Sequence, residues 1–188
     1  MNLTIPENIW QPALLRTRGN VESDTISYGM CTSDLGELLV ARSIKGVCAI
    51  LIGSDHEELD LELATRFPKA DLVVDEAVVH DDLAKVINFM DKPADALYLP
   101  LDMCGTPFQR RVWEKLRAIP IGRTLTYTDV AYWVGPLTSA RAVAGACASN
   151  PLALAVPCHR VVRSNGDLGG YRWGVERKRE MIRKEAMA

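Results

Sequence analysis

A cysteine and a histidine adjoin at Cys158-His159, inside the seven-residue string Val-Pro-Cys-His-Arg-Val-Val at 156–162. The thiolate is the nucleophilic form of cysteine, and nearby positive charge or a hydrogen-bonding base lowers the thiol pKa. The two basic residues that follow are therefore expected to lower the pKa of Cys158. Adjacent residues of an extended chain point to opposite faces, so we expect His159 to act through a water molecule or a local turn. Alone, the pair is weak evidence for catalysis, and a buried, inert cysteine is the better interpretation.

The surrounding sequence predicts that Cys158 lies at or near the end of a buried strand. An apolar segment beginning at Leu152 precedes the pair, and the turn-forming Asn165-Gly166 follows it.

Two helices are predicted upstream of this segment. The first begins at Thr106-Pro107, an N-cap followed by proline at the first helical position, and ends before Pro120. The second begins with residues 126–129, a capping box with aspartate in place of glutamate, and ends at Gly135-Pro136. The buried stripe of the first helix is expected to comprise Phe108, Val112, Trp113 and Leu116.

A third helix is predicted over residues 140–149, with Ser139 as its cap and Asn150-Pro151 as its end. Its residues are small, and Arg141 is its only charged side chain. Two short helices joined by a Gly-Pro turn are typical of a helix-turn-helix, whose second helix approaches another surface closely. The alternative is a tightly packed core helix.

The first half of the chain is predicted to form a small α/β unit. Residues 28–52 predict a β-hairpin with Lys45-Gly46 in its turn and a third strand before it. One helix is expected between Gly53 and Pro68 and a second over residues 76–90. No cluster in this half has the spacing of a catalytic or metal site, so we assign it a structural role. A polar break at residues 91–95 places the domain boundary near residue 100.

Charge divides the chain at about the same point. Residues 1–103 carry 8 lysines and arginines against 18 aspartates and glutamates, whereas residues 104–188 carry 14 against 6. A local basic excess of this size is typical of a nucleic-acid-binding face. The alternative is an acidic half that packs on a basic half within one molecule.

Cysteine usage and hydropathy narrow the class further. The five cysteines, at 31, 48, 104, 147 and 158, are widely spaced and form no CxxC pair, so neither a disulfide framework nor a zinc site is expected. No apolar run reaches the length of a membrane span, and no signal pattern opens the chain. We therefore expect a cytoplasmic protein that contacts no membrane.

The string at 157–162 resembles the active-site signature of the O6-alkylguanine-DNA alkyltransferases, and among them most closely the alkyltransferase domain of bacterial adaptive-response proteins. Four further segments carry the same resemblance: Arg141-Ala142-Val143, Asn150-Pro151, Gly170-Tyr171 and the helix over 108–113. It implies an α/β (α+β) protein in two parts. These are a ribonuclease-H-like α/β domain at 1–100 and a mainly helical, winged-helix-like domain with a helix-turn-helix at 101–188.

The resemblance implies a single-turnover reaction. Cys158 would accept the alkyl group, His159 would be its general base through a bridging water, and Glu185 would orient the imidazole. Tyr127 would protonate N3 of the leaving guanine. The sulfur–carbon bond of the thioether product is not readily broken, so each protein molecule would act once. The resemblance implies no cofactor and no metal. From the sequence alone, Glu185 would be placed on an exposed, salt-bridged helix face.

The implied partner is double-stranded DNA carrying O6-alkylguanine or O4-alkylthymine, bound by a monomer. Arg141 would fill the gap left by an extruded base, and Tyr127 would crowd the 3′ phosphate. The small residues Ala140, Ala142 and Gly145 would let the helix lie in the minor groove, which is only about 6 Å wide. Extrusion is needed because a stacked base keeps its alkyl group out of reach of an attacking sulfur.

The resemblance also implies a pocket. Asn150 would brace the active-site turn, the backbones of Val161 and Arg172 would hydrogen-bond the guanine, and Tyr171 would form a wall. Trp173 stands where some members carry a small residue, which predicts a narrower pocket that favours methyl over benzyl groups.

Two other readings remain open at this point. A damage sensor of the alkyltransferase-like type flips the base without accepting the alkyl group, but such proteins lack the acceptor cysteine. A cysteine hydrolase would use Cys158 and His159 as its pair and would turn over repeatedly. Since no four-cysteine zinc module precedes the alkyltransferase-like region, phosphotriester repair and transcriptional activation are not expected.

Overall fold

The computed structural model describes residues 25–93 and 97–188. The expected first domain begins at residue 1, which lies outside these described residues. Residues 94 and 95 of the expected polar break also lie outside them. The architecture is a mixed α+β fold in which a four-stranded sheet precedes a mainly helical region.

The sheet is built on the predicted hairpin. Strands β1 (Thr25–Ser33), β2 (Gly36–Ser43) and β3 (Gly46–Gly53) are antiparallel neighbours, and β4 (Asp71–Val74) pairs in parallel with β1. The strand order is therefore β3-β2-β1-β4. Gly46 has φ +148°, which only glycine adopts readily at this turn. Every residue of β3 is buried, which explains its nearly continuous apolar sequence.

Two helices accompany the sheet, both at the predicted places. Helix α1 (His56–Arg66) is capped by Asp55, and α2 (Glu76–Asp91) is capped by Asp75. Strand β4 lies between them and was not predicted. It has four residues, none of them buried, so it lacks the apolar alternation that identifies a strand in a sequence.

The second region holds four helices and a two-stranded parallel sheet. Its helices are α3 (Pro107–Arg117), α4 (Tyr127–Val134), α5 (Ala140–Ala148) and α6 (Val175–Glu185). Strands β5 (Leu125–Thr126) and β6 (Val161–Val162) form the small sheet. The predicted starts of α3, α4 and α5 are confirmed, because Thr106, Thr126 and Ser139 each accept a hydrogen bond from the first turn. Phe108 is only partly buried, whereas the rest of the α3 stripe is buried.

Strand β3 connects the two regions along its free edge. Val47 N–H donates to the carbonyl of Pro100 and Val47 C=O accepts from Asp102, both at 2.8 Å. Further along β3, Ile50 N–H donates to the carbonyl of Pro151 at 2.8 Å, and Ile50 C=O accepts from Ala153 N–H at 2.9 Å. The segment that leads to Cys158 is therefore anchored on the most buried strand of the sheet.

Candidate active site

Cys158 begins a single 3₁₀ turn (Cys158–Arg160) rather than ending a strand, and β6 follows that turn. Its N–H donates to Val156 C=O at 2.7 Å, which closes the preceding turn. Leu154, in the approach to the turn, has φ +66°, a conformation that is costly for a branched side chain. The backbone around the thiol is therefore held by the surrounding structure against local strain.

Asn150 braces this turn from a fully buried position. Its Oδ1 accepts from Leu152 N–H at 2.9 Å, and its Nδ2 donates to Val156 C=O at 2.8 Å. The same Nδ2 lies 3.2 Å from the Cys158 sulfur. One amide thus fixes both the turn and the thiol.

Burial raises the pKa of Cys158 to about 11, against smaller lowering effects from Asn150, Lys178 and its own backbone. The expectation that neighbouring cations lower this pKa is therefore wrong for the protein without substrate. The side chain is nearly inaccessible, and desolvation disfavours a thiolate more strongly than the nearby positive charge favours it. The resting group is a thiol that requires a base.

His159 is the candidate for that base. Its imidazole is fully buried, and Nε2 lies 2.8 Å from Glu185 Oε1. Because an ionised carboxylate only accepts, Nε2 carries the proton and Nδ1 keeps its lone pair. Nδ1 is buried and has no hydrogen-bond partner among the described residues. Burial lowers the pKa of His159 more than Glu185 raises it, so the ring is neutral and can accept a proton.

Glu185 is held ionised by two partners. Burial alone would raise its pKa, but hydrogen bonds from His159 and Arg160 outweigh this and lower the pKa to about 2. Arg160 donates to both carboxylate oxygens of Glu185, from Nε to Oε2 at 2.9 Å and from Nη2 to Oε1 at 2.8 Å. Its Nη1 donates to the carbonyl of Ile119 at 2.5 Å. Arg160 was not singled out from the sequence. Nor could the sequence show that Glu185 is buried.

Cys158 lines a cavity of about 320 Å³. Tyr127 and Tyr171 contribute two aromatic walls, and α5 contributes small side chains. Cys147 on α5 also lines it and was not singled out from the sequence. The lining residues are Tyr127, Ala144, Cys147, Ala148, Cys158, Gly170, Tyr171 and Arg172.

The two tyrosines present hydroxyl groups that remain protonated. Burial raises the pKa of Tyr127 to about 12 and raises the pKa of Tyr171 well above its ordinary value. The hydroxyl of Tyr171 is buried without a hydrogen-bond partner in the described residues. Both hydroxyls therefore keep a proton that can be donated in a hydrogen bond.

Trp173 stands outside the cavity, contrary to the expectation that it narrows the pocket directly. It is 3% exposed and packs edge-to-face on Tyr171, with ring centroids 5.2 Å apart. Trp173 therefore contacts a residue that lines the cavity, Tyr171, and does not line the cavity itself.

Val161 is buried and does not line the cavity. Its carbonyl accepts from Nζ of Lys178 at 2.5 Å, and the same Nζ donates to Leu168 C=O at 2.5 Å. Lys178 is fully buried on α6, and the sequence gave no sign of this because it lies in a charged helix.

Helix α5 exposes one face and buries another. Arg141, Gly145 and Ala148 are exposed at a spacing of four and three residues, which places them on one stripe. Ala142 is partly buried. Ala140 and Ala144 line a second cavity of about 430 Å³, which shares Tyr127 and Gly170 with the cavity at Cys158. Buried Val143, Ala146 and Cys147 fix α5, and Trp113 Nε1 donates to Ala146 C=O at 2.9 Å.

Neither a metal centre nor a membrane helix is found in residues 25–93 and 97–188. No three histidine, cysteine or acidic side chains there are grouped to hold a metal ion. Within the same residues no helix has the length and apolar character that crossing a membrane requires.

Residues 107–187 match the family model described as the DNA-binding domain of 6-O-methylguanine DNA methyltransferase. The inducible methylated-DNA–protein-cysteine methyltransferase of Bacillus subtilis is 34% identical over 152 residues, which are 79% of this chain and 84% of that protein. This chain belongs to the methylated-DNA–protein-cysteine methyltransferase family.

Other members of this methyltransferase family are similar over most of the chain. The bifunctional transcriptional activator/DNA repair enzyme Ada of Escherichia coli is 45% identical over 165 residues, which are 88% of this chain and 47% of Ada. The chain thus spans about half the length of the Ada proteins that it matches. The crystal structure of Mycobacterium tuberculosis OGT in complex with DNA superposes with a TM-score of 0.71 at 29% identity, over 86% of this chain and 93% of that one.

Proposed function

We propose that this methyltransferase-family chain repairs double-stranded DNA by moving the alkyl group of O6-alkylguanine, and also of O4-alkylthymine, irreversibly to Cys158. The observation that carries the proposal is that Cys158 lines a cavity, while His159, the next residue in the chain, is neutral and hydrogen-bonded to Glu185. A nucleophile, a base and a group that orients the base are the parts that such a transfer needs.

The proposed chemistry begins with proton removal. The Cys158 thiol passes its proton through a bridging water to Nδ1 of His159, and the ionised Glu185 stabilises the imidazolium. The thiolate then attacks the alkyl carbon, the carbon–O6 bond breaks, and its electron pair stays on guanine as O6 becomes a carbonyl. Tyr127, protonated at neutral pH, gives its proton to N3 of the guanine. The thioether product is not converted back to a thiol, so one protein molecule repairs one lesion.

In the proposed complex, helix α5 enters the minor groove. Its exposed stripe has small residues that permit close approach, and Arg141 makes no hydrogen bond or ion pair within residues 25–93 and 97–188. Arg141 is therefore available to fill the gap left by the extruded base, while Tyr127 crowds the 3′ phosphate. Asn150 acts as the brace, and the backbone of Arg172 holds the guanine against the Tyr171 wall. The basic excess of residues 104–188 supplies attraction to phosphate.

We also propose the finer architecture that the family resemblance implies. Residues 1–100 form a ribonuclease-H-like α/β domain, which fits the β3-β2-β1-β4 order of the described strands. Residues 101–188 form a winged-helix-like domain in which α4 and α5 are the helix-turn-helix. The protein is proposed to act as a monomer, without a protein partner or cofactor.

Intact-protein mass spectrometry tests the function. After incubation with duplex DNA that carries O6-methylguanine, the mass should rise by one methylene unit, located on the peptide that contains Cys158. Transfer should stop at one methyl group per protein molecule. An unchanged mass would favour a damage sensor, and repeated turnover would favour a hydrolase. Cys158→Ser is the matched negative control.

A further inference from the structure

A cluster of charges joins the sheet region to the rim of the Cys158 cavity. Glu62, on α1, accepts at Oε1 from Arg172 Nε at 2.8 Å and from Arg66 Nε at 3.0 Å. Arg172 lines the cavity that holds Cys158. A carboxylate from the first region therefore lies one side chain away from the acceptor site.

The two arginines extend this connection to the end of α5. Arg172 Nη1 donates to Ala148 C=O and Arg66 Nη1 donates to Ser149 C=O, both at 3.3 Å. These carbonyls belong to the last turn of α5, which has no further helix to satisfy them. Ala148 lines the cavity, and Asn150, the brace of the Cys158 turn, follows Ser149 directly.

The charge balance shows what Glu62 does. Two guanidinium groups share one carboxylate oxygen, so they lie close enough to repel each other. The side chains of Glu62 and Arg66 are each 16% exposed and that of Arg172 is 34% exposed, so water screens the repulsion only in part. Nη2 of Arg66 is buried without a hydrogen-bond partner in the described residues, so this guanidinium is held through its bonds to Glu62 and to the Ser149 carbonyl.

We propose that Glu62 is a positioning residue for alkyl transfer, which holds the Arg172 wall of the cavity and, through Arg66, the carboxyl end of α5. This rests on the function proposed above. It assigns to α1 a part in the reaction, although the sequence of that region predicts only a structural role. When the carboxylate is neutralised, Arg172 moves away from Arg66, and the cavity no longer holds the base in line with the sulfur.

The test is single-turnover transfer from methylated duplex DNA, measured against DNA concentration. Glu62→Gln keeps the size of the side chain and removes its charge. We expect the limiting transfer rate to fall about tenfold, as for a small displacement of a reacting group, and the half-saturating DNA concentration to stay within about twofold of wild type. Glu57→Gln, an exposed glutamate of the same helix, is the matched control and should transfer like wild type.

A double-mutant cycle separates positioning from stability. Arg172→Gln should slow transfer in the wild-type background and should have little further effect in Glu62→Gln, because Arg172 is already displaced there. The inference is overturned if Glu62→Gln transfers as fast as an active wild type. It is equally overturned if the two substitutions are additive, or if rate, DNA affinity and thermal midpoint all fall together. A wild type that transfers nothing would instead overturn the proposed function and this inference with it.

Discussion

The side-chain amide of Asn150 donates to the sulfur of Cys158 across 3.2 Å, in a site where both residues are buried. This contact favours the thiolate, against the burial that raises the Cys158 pKa to about 11. The resting Cys158 is therefore a protonated thiol, and the Asn150 amide partly offsets the burial that keeps it so.

Asn150→Ala removes this donor, and the pKa of Cys158 should rise further. Loss of one hydrogen bond to a charged sulfur should lower the thiolate population, and with it the rate of carbamidomethylation by iodoacetamide, about fivefold between pH 7 and 9. Peptide mass spectrometry at Cys158 measures this rate. Ser149→Ala, whose hydroxyl bonds only to Gly145 C=O, is the control. Equal rates in all three proteins would contradict the assigned role.

Glu185 should dominate the acid stability of the fold. Its folded-state pKa of about 2 lies below the ordinary value of 4.5, so its stabilising contribution is complete above pH 4.5. That contribution, about 3 kcal/mol, is lost as pH falls from 4.5 to 2. The lowered pKa of His159 adds a loss of stability below its ordinary value of 6.5, since the unfolded chain then binds the proton more readily.

Urea unfolding across this pH range checks the assignment. Glu185→Gln should be less stable than wild type at pH 7 and should lose less stability between pH 4.5 and 2. Glu176→Gln, on the same helix but with a side chain that is 84% exposed, should follow the wild-type curve. A Glu185→Gln curve parallel to wild type would show that another group controls acid unfolding.

Arg141→Ala should separate base extrusion from chemistry. Because Arg141 lies outside the cavity, the variant should slow repair of methylated duplex DNA at least about tenfold, while transfer from free O6-methylguanine stays near wild type. Arg179→Ala, an exposed arginine on α6, is the control for loss of charge. Equal losses on duplex and free base would count against a role in extrusion.

Gly145 offers a test of the α5 surface. A Cβ at this position meets no atom within 4 Å, so Gly145→Ala should stabilise the helix by about 1 kcal/mol. Gly145→Glu should also fold, but it should weaken binding to duplex DNA about tenfold by placing a negative charge against the phosphates. Fluorescence anisotropy with labelled duplex measures the affinity. Undiminished affinity in Gly145→Glu would place the DNA elsewhere.

Trp173→Ala should allow larger alkyl groups to be transferred, because the Tyr171 ring loses the side chain that packs against it. Without its edge-to-face partner, the Tyr171 ring can move, and transfer from O6-benzylguanine should gain relative to O6-methylguanine. The loss of a buried tryptophan should also lower the free energy of unfolding by about 3 kcal/mol. Both free bases should be assayed by the mass shift of Cys158, with the exposed Trp133→Ala as control. An unchanged ratio would mean that Trp173 does not influence pocket width.

Helix caps and turn residues in the sequence identified most of the helices and strands. Thr106, Thr126 and Ser139 cap helices at the predicted places, and Gly46 turns the predicted hairpin, because caps and turns depend on residues only a few positions apart. Strand β4 escaped detection because its pairing with β1, and not its own pattern, makes it a strand.

The sequence by itself determined the fold class, the family resemblance and the Cys158-His159 pair, since each is written in residue types and short spacings. Only the tertiary structure decided how these residues behave. It buried Cys158 and so raised its pKa, placed Trp173 behind Tyr171 and not in the cavity, and brought Glu62 to Arg172 across 110 positions of the chain. Desolvation and ion pairing depend on distances in space, which chain packing sets and local sequence does not encode.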